Sequence, residues 1–297
     1  MWSRQQPPET TDSQPTEFRI IGPRRSGKTT YLSALAYWPN AKPDSPIEKV
    51  IPRDDDTAKL IAMAKDILEK NAMLMATYPA SNPSEIPTYN LSIQMKPTWQ
   101  GGQAIDIVCK DFAGELFEKL SQGKTSQIEE YLEECASALG LLILLDGTFF
   151  TEDEKYAQGL ATLKQQLKWR LEKKNQNLSQ YRIALAFTKA EQSKMRIHRQ
   201  DIPRFMRLKF NKTYQLLENW GKEWPCPVKY FFCSAFGMKP GASPDSPLAN
   251  VQVTSREGGV TSGVIDNPKV WRPLGLMAPI YWLHTGTDHP QLRDIED

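Results

Sequence analysis

Histidine is scarce in this chain, and the three that occur, His198, His284 and His289, do not cluster. That scatter argues against a zinc site. Cysteine is nearly as rare. Cys109, Cys135, Cys226 and Cys233 show no C-x-x-C spacing, and Cys109 and Cys233 sit in apolar, strand-like stretches. Buried free thiols in a reducing cytoplasm are the expectation, not a disulfide framework. No apolar run approaches the length needed to cross a bilayer. Met1 to Thr16 is polar, carries Pro7, Pro8 and Pro15, and lacks the apolar core of a secretory signal, so it reads as a disordered tail. A one-sided charge is missing too: the net charge is +2, which gives no global drive toward nucleic acid or membrane. There is no internal repeat. What is present is an apolar fraction of 40% over 297 residues, enough for a real core in one large domain or two small ones.

The most informative stretch is Gly22-Pro23-Arg24-Arg25-Ser26-Gly27-Lys28-Thr29-Thr30, which fits the pattern G-x-x-x-x-G-K-[ST]. Phe18 to Ile21 reads as a short buried strand entering it, and Tyr31 to Ala36 as the helix leaving it. The glycines let backbone N–H groups curl round a phosphate. Lys28 brings a point charge, the Thr29 hydroxyl suits Mg²⁺, and the next helix adds its free N–H groups and dipole. Gly22, Arg25, Ser26, Gly27, Lys28, Thr29 and Thr30 are therefore the expected phosphate-binding residues of a nucleoside triphosphate site.

Strand-like and helix-like segments alternate beyond this loop. Asp54 to Met75 reads as a helix opening on three aspartates. Leu91 to Met95 and Ala104 to Cys109 read as strands joined through Gly101-Gly102. A helical stretch follows Glu115, breaks near Gly123, and restarts at a Ser126/Glu129 capping box. Gly140 to Leu145 is a continuous apolar run, as in a central parallel strand. A Thr151/Glu154 capping box opens the next helix. Ile183 to Phe187 is a strand, Asp201 and Pro203 start a helix running to about Trp220, and Val228 to Cys233 is a further strand. Met238 to Asn267, rich in Pro, Gly and Ser, reads as a long mobile insertion with room for a small hairpin. Leu274 to His284 reads as the last helix. This order predicts an α/β fold: a mostly parallel sheet with helices on both faces.

Asp111-Phe112-Ala113-Gly114 follows the Ala104–Cys109 strand. A carboxylate at that strand end suits Mg²⁺, and the N–H of Gly114 suits a γ-phosphate. Asp146, after the apolar run, is the rival acid. Gly147 follows it instead of a second carboxylate, so Asp111 is preferred, and Asp146 reads as a strand-end residue capping a turn.

The chain here resembles the Ras-like small GTPases, over about residues 18 to 237. Five elements stand in that family's order. They are the phosphate loop; Pro87-Thr88, 23 residues before Asp111; Asp111-Phe112-Ala113-Gly114-Glu115, similar to D-x-A-G-Q; Thr188-Lys189-Ala190-Glu191, in place of [NT]-K-x-D; and Ser234-Ala235. The resemblance implies Mg²⁺ on Thr29, Thr88 and Asp111. It implies catalytic parts for Lys28, Gly114 and Glu115, and a guanine site at Thr188, Lys189, Glu191, Ser234 and Ala235. A carboxylate at 191 would accept from the guanine N1–H and 2-amino group, although Glu is one methylene longer than the family's Asp. Glu115 stands where the family has the water-positioning glutamine, so slow turnover is implied. Arg24 stands where glycine is usual. It would obstruct an arginine supplied in trans, reach the transferring phosphate itself, or simply be solvated.

The expected organisation is a tail (1–16), a GTPase-like P-loop domain (17–286) with an inserted helix (about 40–86) and the insertion at about 238–267, and a second tail (287–297). The Pro/Trp-rich ending from Pro268 to Gly286 is similar to prokaryotic double-GTPase proteins of multi-component conflict or signalling systems, which implies protein partners. The expected function is a cytoplasmic, Mg²⁺-dependent switch cycling between GTP and GDP. The alternatives are an ATPase or kinase-like enzyme using Asp146, and a nucleotide-gated module that does not hydrolyse. Lys164, Lys168, Arg170, Lys173, Lys174, Arg196, Arg199, Arg204, Arg207, Lys209 and Lys212 form a basic stretch. A solvated helix face is its default reading and nucleic acid the lesser one.

Overall fold

The computed structural model describes residues 16–42, 45–69, 87–98, 104–111, 114–242, 247–255 and 261–293. At its centre β1 (Thr16–Ile21) runs parallel to β4 (Ala104–Asp111) on one side and to β5 (Gly140–Asp146) on the other. β6 (Arg182–Thr188) and β7 (Val228–Phe232) continue the parallel run. Beyond β4 lie β3 (Thr88–Met95) and the edge strand β2 (Ile47–Pro52), each antiparallel to its neighbour. The seven-stranded order is β2-β3-β4-β1-β5-β6-β7. Every residue of β5 is buried, as an uninterrupted apolar strand covered on both faces must be.

Alternation along the strands builds two cores. Leu142, Leu144, Ala184 and Ala186 face α1 (Lys28–Ala41), α2 (Asp55–Glu69) and α9 (Met277–Thr285). Leu141, Ile143, Leu145, Ile183, Leu185 and Phe187 face the other layer. That layer holds α3 (Gly114–Ser121), α4 (Glu129–Ser137), α5 (Asp153–Lys173), α6 (Ser193–Arg196), α7 (Ile202–Lys209) and α8 (Asn211–Glu223). The chain is thus the expected α/β fold, a mostly parallel sheet with helices on both faces. Helix α1 is buried from Tyr31 to Pro39 because it is covered all round. The sheet lies on one side and the added elements on the other: Tyr37 stacks on Trp271 with ring centres 6.1 Å apart, and the Tyr31 hydroxyl donates to the Leu276 carbonyl at 2.5 Å.

Several local expectations are corrected by tertiary contacts. Neither capping box forms. Helix α4 begins at Glu129 with Ile128 before it and no side-chain cap; Glu129 turns instead to the buried guanidinium of Arg170. Helix α5 also begins without a side-chain cap. Its Glu154 pairs with Lys212, and the Asp153 carboxylate accepts from the N–H groups of Lys212 (2.9 Å) and Thr213 (3.0 Å) in the first turn of α8. The single helix expected from Asp201 to Trp220 is two, broken at Phe210, whose buried ring packs among Phe150, Tyr156, Phe187 and Phe205. Strand β3 begins at Thr88 itself, not after it. Edge strand β2 has no forecast in the sequence. The part of the expected second helix beyond Glu69, the Gly101-Gly102 turn and residues 1–15 lie outside the described residues. Within 238–267, β8 (Met238–Lys239) pairs with β9 (Leu248–Ala249), and β10 (Val251–Ser255) with β11 (Thr261–Ile265). In the segment expected as a tail, Pro290–Arg293 forms a 3-10 turn and Leu292 is buried.

The cap at Asp201 does form: its carboxylate accepts from the Arg204 N–H at 2.9 Å. Asp201→Ala is expected to cost about 1 kcal/mol and to lower the melting temperature by about 2–4 °C in a domain of this size. Thermal unfolding followed by circular dichroism checks it; an unchanged midpoint would remove the cap from the account.

Part of the basic stretch is neutralised by neighbours. Lys164 pairs with Glu223, Arg170 with Glu129 and Glu133, Lys174 with Glu133, and Lys212 with Glu154. Among the described residues no helix is long and apolar enough to cross a membrane. All four cysteines are buried.

Candidate functional site

The phosphate loop leaves β1 at the carboxyl end of the parallel strands. Gly22 is required there: a Cβ would fall 2.8 Å from the Ser26 hydroxyl and against the Leu144 carbonyl. Arg25 (φ 67°) and Gly27 (φ 81°) are both left-handed. For Arg25 that costs about 1 kcal/mol, and it buckles the backbone into the concave form that presents N–H groups to an anion. The Lys28 ammonium lies inside the loop, donating to the carbonyls of Gly22 (3.0 Å) and Pro23 (3.1 Å). Ser26 is fully buried, and its hydroxyl has no hydrogen-bond partner among the described residues. Thr29 and Thr30 occupy the first turn of α1, half-buried.

β6 brings the second cluster to the same end of the sheet. The Thr188 hydroxyl donates to the Ser26 carbonyl at 2.8 Å, which ties this strand end directly to the phosphate loop. Lys189 turns through a left-handed φ of 63° and pairs with Asp146. Asp146 also accepts from the N–H (2.9 Å) and hydroxyl (2.6 Å) of Thr148. Its carboxylate is therefore committed to a turn and to holding Lys189, the strand-end reading of that residue. The sequence offered no sign of the Asp146–Lys189 pair. Gly147, next in the chain, has no room for a Cβ because the Met195 sulfur occupies that space.

Glu191 is the unusual group. Only 3% of its surface is exposed, and one carboxylate oxygen has no hydrogen-bond partner among the described residues. Burial raises its pKa above the ordinary carboxylate value; the Ser234 hydroxyl, the Gln192 amide and the Lys189 charge act the other way. Arg199 also faces it, its own pKa lowered by burial and by Arg196. Ser234 is fully buried, accepts from the Gly237 N–H at 2.7 Å, and is bridged through its backbone to Leu274. The Ala235 carbonyl accepts from the Trp271 indole at 2.9 Å. The C-terminal segment thus braces the Ser234-Ala235 loop, a role the Pro/Trp-rich composition did not reveal.

The third cluster comes from β3, β4 and α3. Asp111 is the last residue of β4, in register with Ile20 one strand away, and Thr88 at the start of β3 stands opposite Lys110. Both positions lie at the phosphate-loop end of the sheet. Phe112 and Ala113 lie outside the described residues. Gly114 packs directly on the phosphate loop, where a Cβ would fall 2.6 Å from the Arg24 Cα. Glu115, next along, forms an ion pair with Arg24. Gly114→Ala should force these backbones apart at a cost of about 1–3 kcal/mol. A urea-denaturation midpoint equal to wild type would show that they do not touch.

The order of strands and the strand-end cluster define a phosphate-loop α/β protein. No protein-family model matches the chain, and no curated protein does. Solved structures of similar fold include the signal recognition particle receptor SRb of the SRb-GTP/SRX complex from Chaetomium thermophilum. It is 14% identical, with 77% of this chain and 95% of that one covered and a TM-score of 0.45. A putative nucleolar GTP-binding protein 1 from Plasmodium falciparum is 9% identical over 76% of this chain and 80% of that one, TM-score 0.36. The ADP-ribosylation-factor-like small COPII coat GTPase SAR1 from Encephalitozoon cuniculi, in complex with GDP, is 10% identical over 75% and 70%, TM-score 0.30.

Proposed function

We propose that this chain binds guanine nucleotides and acts as a GTP-dependent switch toward protein partners in the cytoplasm, with slow hydrolysis. The observation that carries the reading is the buried, half-satisfied carboxylate of Glu191, three residues from the Thr188 hydroxyl that bonds the phosphate loop. A buried carboxylate oxygen is costly to leave unpaired. The guanine edge offers two adjacent N–H donors that would repay it; adenine does not. Lys189, held by Asp146, would lie along the base, with Ser234 and Ala235 closing its far side.

Thr29, Thr88 and Asp111 offer two hydroxyls and a carboxylate, a hard-oxygen set that fits Mg²⁺. Bound there, Mg²⁺ would neutralise charge on the β- and γ-phosphates. The chain's own part is to hold the phosphates: the loop N–H groups and Lys28 bind them, the Gly114 N–H donates to the γ-phosphate, and Glu115 would orient the attacking water. The similarity of residues 268–286 to double-GTPase proteins points to partners from a multi-component system.

Competition between fluorescent guanine and adenine nucleotides tests the base assignment, and a clear adenine preference would sink it. A second reading, a switch that does not hydrolyse, is favoured by the engagement of Glu115 with Arg24. Multiple-turnover phosphate release decides between them; a rate equal to that of Lys28→Ala selects the second.

A further inference from the structure

Two cations belong to the phosphate loop, at different depths. Lys28 is buried within it and bonded to its carbonyls. The Arg24 side chain stands outside, 60% exposed, on the flank where Gly114 meets the loop. Its guanidinium pairs with Glu115, whose carboxylate is only 26% exposed and has no other cation within pairing distance among the described residues. Both residues occupy positions at which this chain departs from the resemblance described above, and the structure joins the two departures to each other.

Resting on the nucleotide-switch reading, we infer that Arg24 is the residue that distinguishes a nucleoside triphosphate from a diphosphate, and that Glu115 competes with the terminal phosphate for it. Gly114 is the group assigned to the γ-phosphate, and its backbone touches that of Arg24. A phosphate arriving there brings about two negative charges and three acceptor oxygens beside an existing ion pair. It attracts the guanidinium and repels the carboxylate, so both forces open the pair. A diphosphate ends one group short and leaves the pair closed. Arg24 is free to exchange because its long side chain is mostly in solvent. Glu115, without its cation, turns its carboxylate from the phosphate toward the solvent side, from which it would orient the attacking water, while Gly114 keeps its place on the loop. The exchange thereby carries the phosphate state to the Glu115 side chain in the first turn of α3. Arg24 is a ligand-sensing residue in this scheme, and Glu115 a positioning residue acting through it.

The test is the ratio of affinities for a β,γ-imido GTP analogue and for GDP, measured by isothermal titration with Mg²⁺ at low and high salt. Glu115→Gln removes the competitor and should raise the triphosphate-over-diphosphate ratio by about tenfold, roughly the worth of one charge-assisted hydrogen bond. Arg24→Ala should lower it by about tenfold, Arg24→Lys should restore part of it, and salt should shrink each difference. A role confined to fold stability would shift both affinities together. Ratios within twofold of wild type in both Glu115→Gln and Arg24→Ala overturn the inference, as does a rise in the ratio for Arg24→Ala. If one variant fails to fold, Arg24→Lys with the remaining variant still decides. Failure of the underlying reading looks different: wild type then binds neither nucleotide, or Lys28→Ala binds both as well as wild type does.

Discussion

Lys28→Ala should weaken guanine-nucleotide binding by about 100-fold or more. The side chain is 7% exposed and reaches across the loop to the carbonyls of Gly22 and Pro23. It therefore contributes twice. Its charge would face the phosphates from inside the loop, where a charge-assisted hydrogen bond is worth about 1.5–3 kcal/mol. Its two donated bonds also hold the loop in shape, so the alanine variant would have to organise the loop during binding. A loss of about 3 kcal/mol corresponds to roughly 100-fold in Kd. Titration with a fluorescent guanine nucleotide measures it, alongside a thermal scan showing that the variant is folded. A change of less than threefold would remove Lys28 from the phosphate site.

The reason this loop was legible while much of its surroundings was not lies in sequence distance. The phosphate loop is contiguous: Gly22 to Thr30 forms a strand exit, a buckled turn and a helix start, each dictated by neighbouring residues. The strand ends bearing Asp111, Thr188 and Ser234 were legible through the apolar runs that precede them. What joins these ends was hidden. Thr188 reaches Ser26 across 162 residues and Lys189 reaches Asp146 across 43. Trp271 reaches Ala235 across 36, and nothing local forecasts such pairs. The failed capping boxes teach the same point from the other side. Glu129 and Glu154 are sound local candidates, but Arg170 and Lys212 at the start of α8 offer those carboxylates better partners. Edge strand β2 went unseen because Ile-Glu-Lys-Val-Ile-Pro is short, carries two charges and ends on proline, all features of an edge that avoids further pairing.

Glu191→Gln should leave the protein folded and cost about 100-fold in guanine-nucleotide affinity while sparing adenine nucleotides. The change is nearly isosteric. It replaces two charge-assisted acceptors by one neutral carbonyl and turns an amide donor toward a base edge that is itself a donor. Loss of about 2–3 kcal/mol follows. pH separates this account from a purely steric one. Burial raises the Glu191 pKa in the nucleotide-free protein, so folding favours the protonated form. The stability this contributes is present below the pKa of the unfolded chain and is lost as pH rises through the raised folded value. Guanine needs the ionised form. Wild-type affinity should therefore climb as pH rises through that raised value, and the thermal stabilisation by GDP should grow with it. The Ser234, Gln192, Lys189 and Arg199 side chains that face Glu191 stay in place in the variant, so their contribution to the profile is common to both proteins. In Glu191→Gln the climb should vanish, and above the raised value the nucleotide-free variant should melt no lower than wild type. An equal loss for guanine and adenine nucleotides, or a pH profile unchanged by the substitution, would place the base elsewhere and leave the buried carboxylate without a ligand.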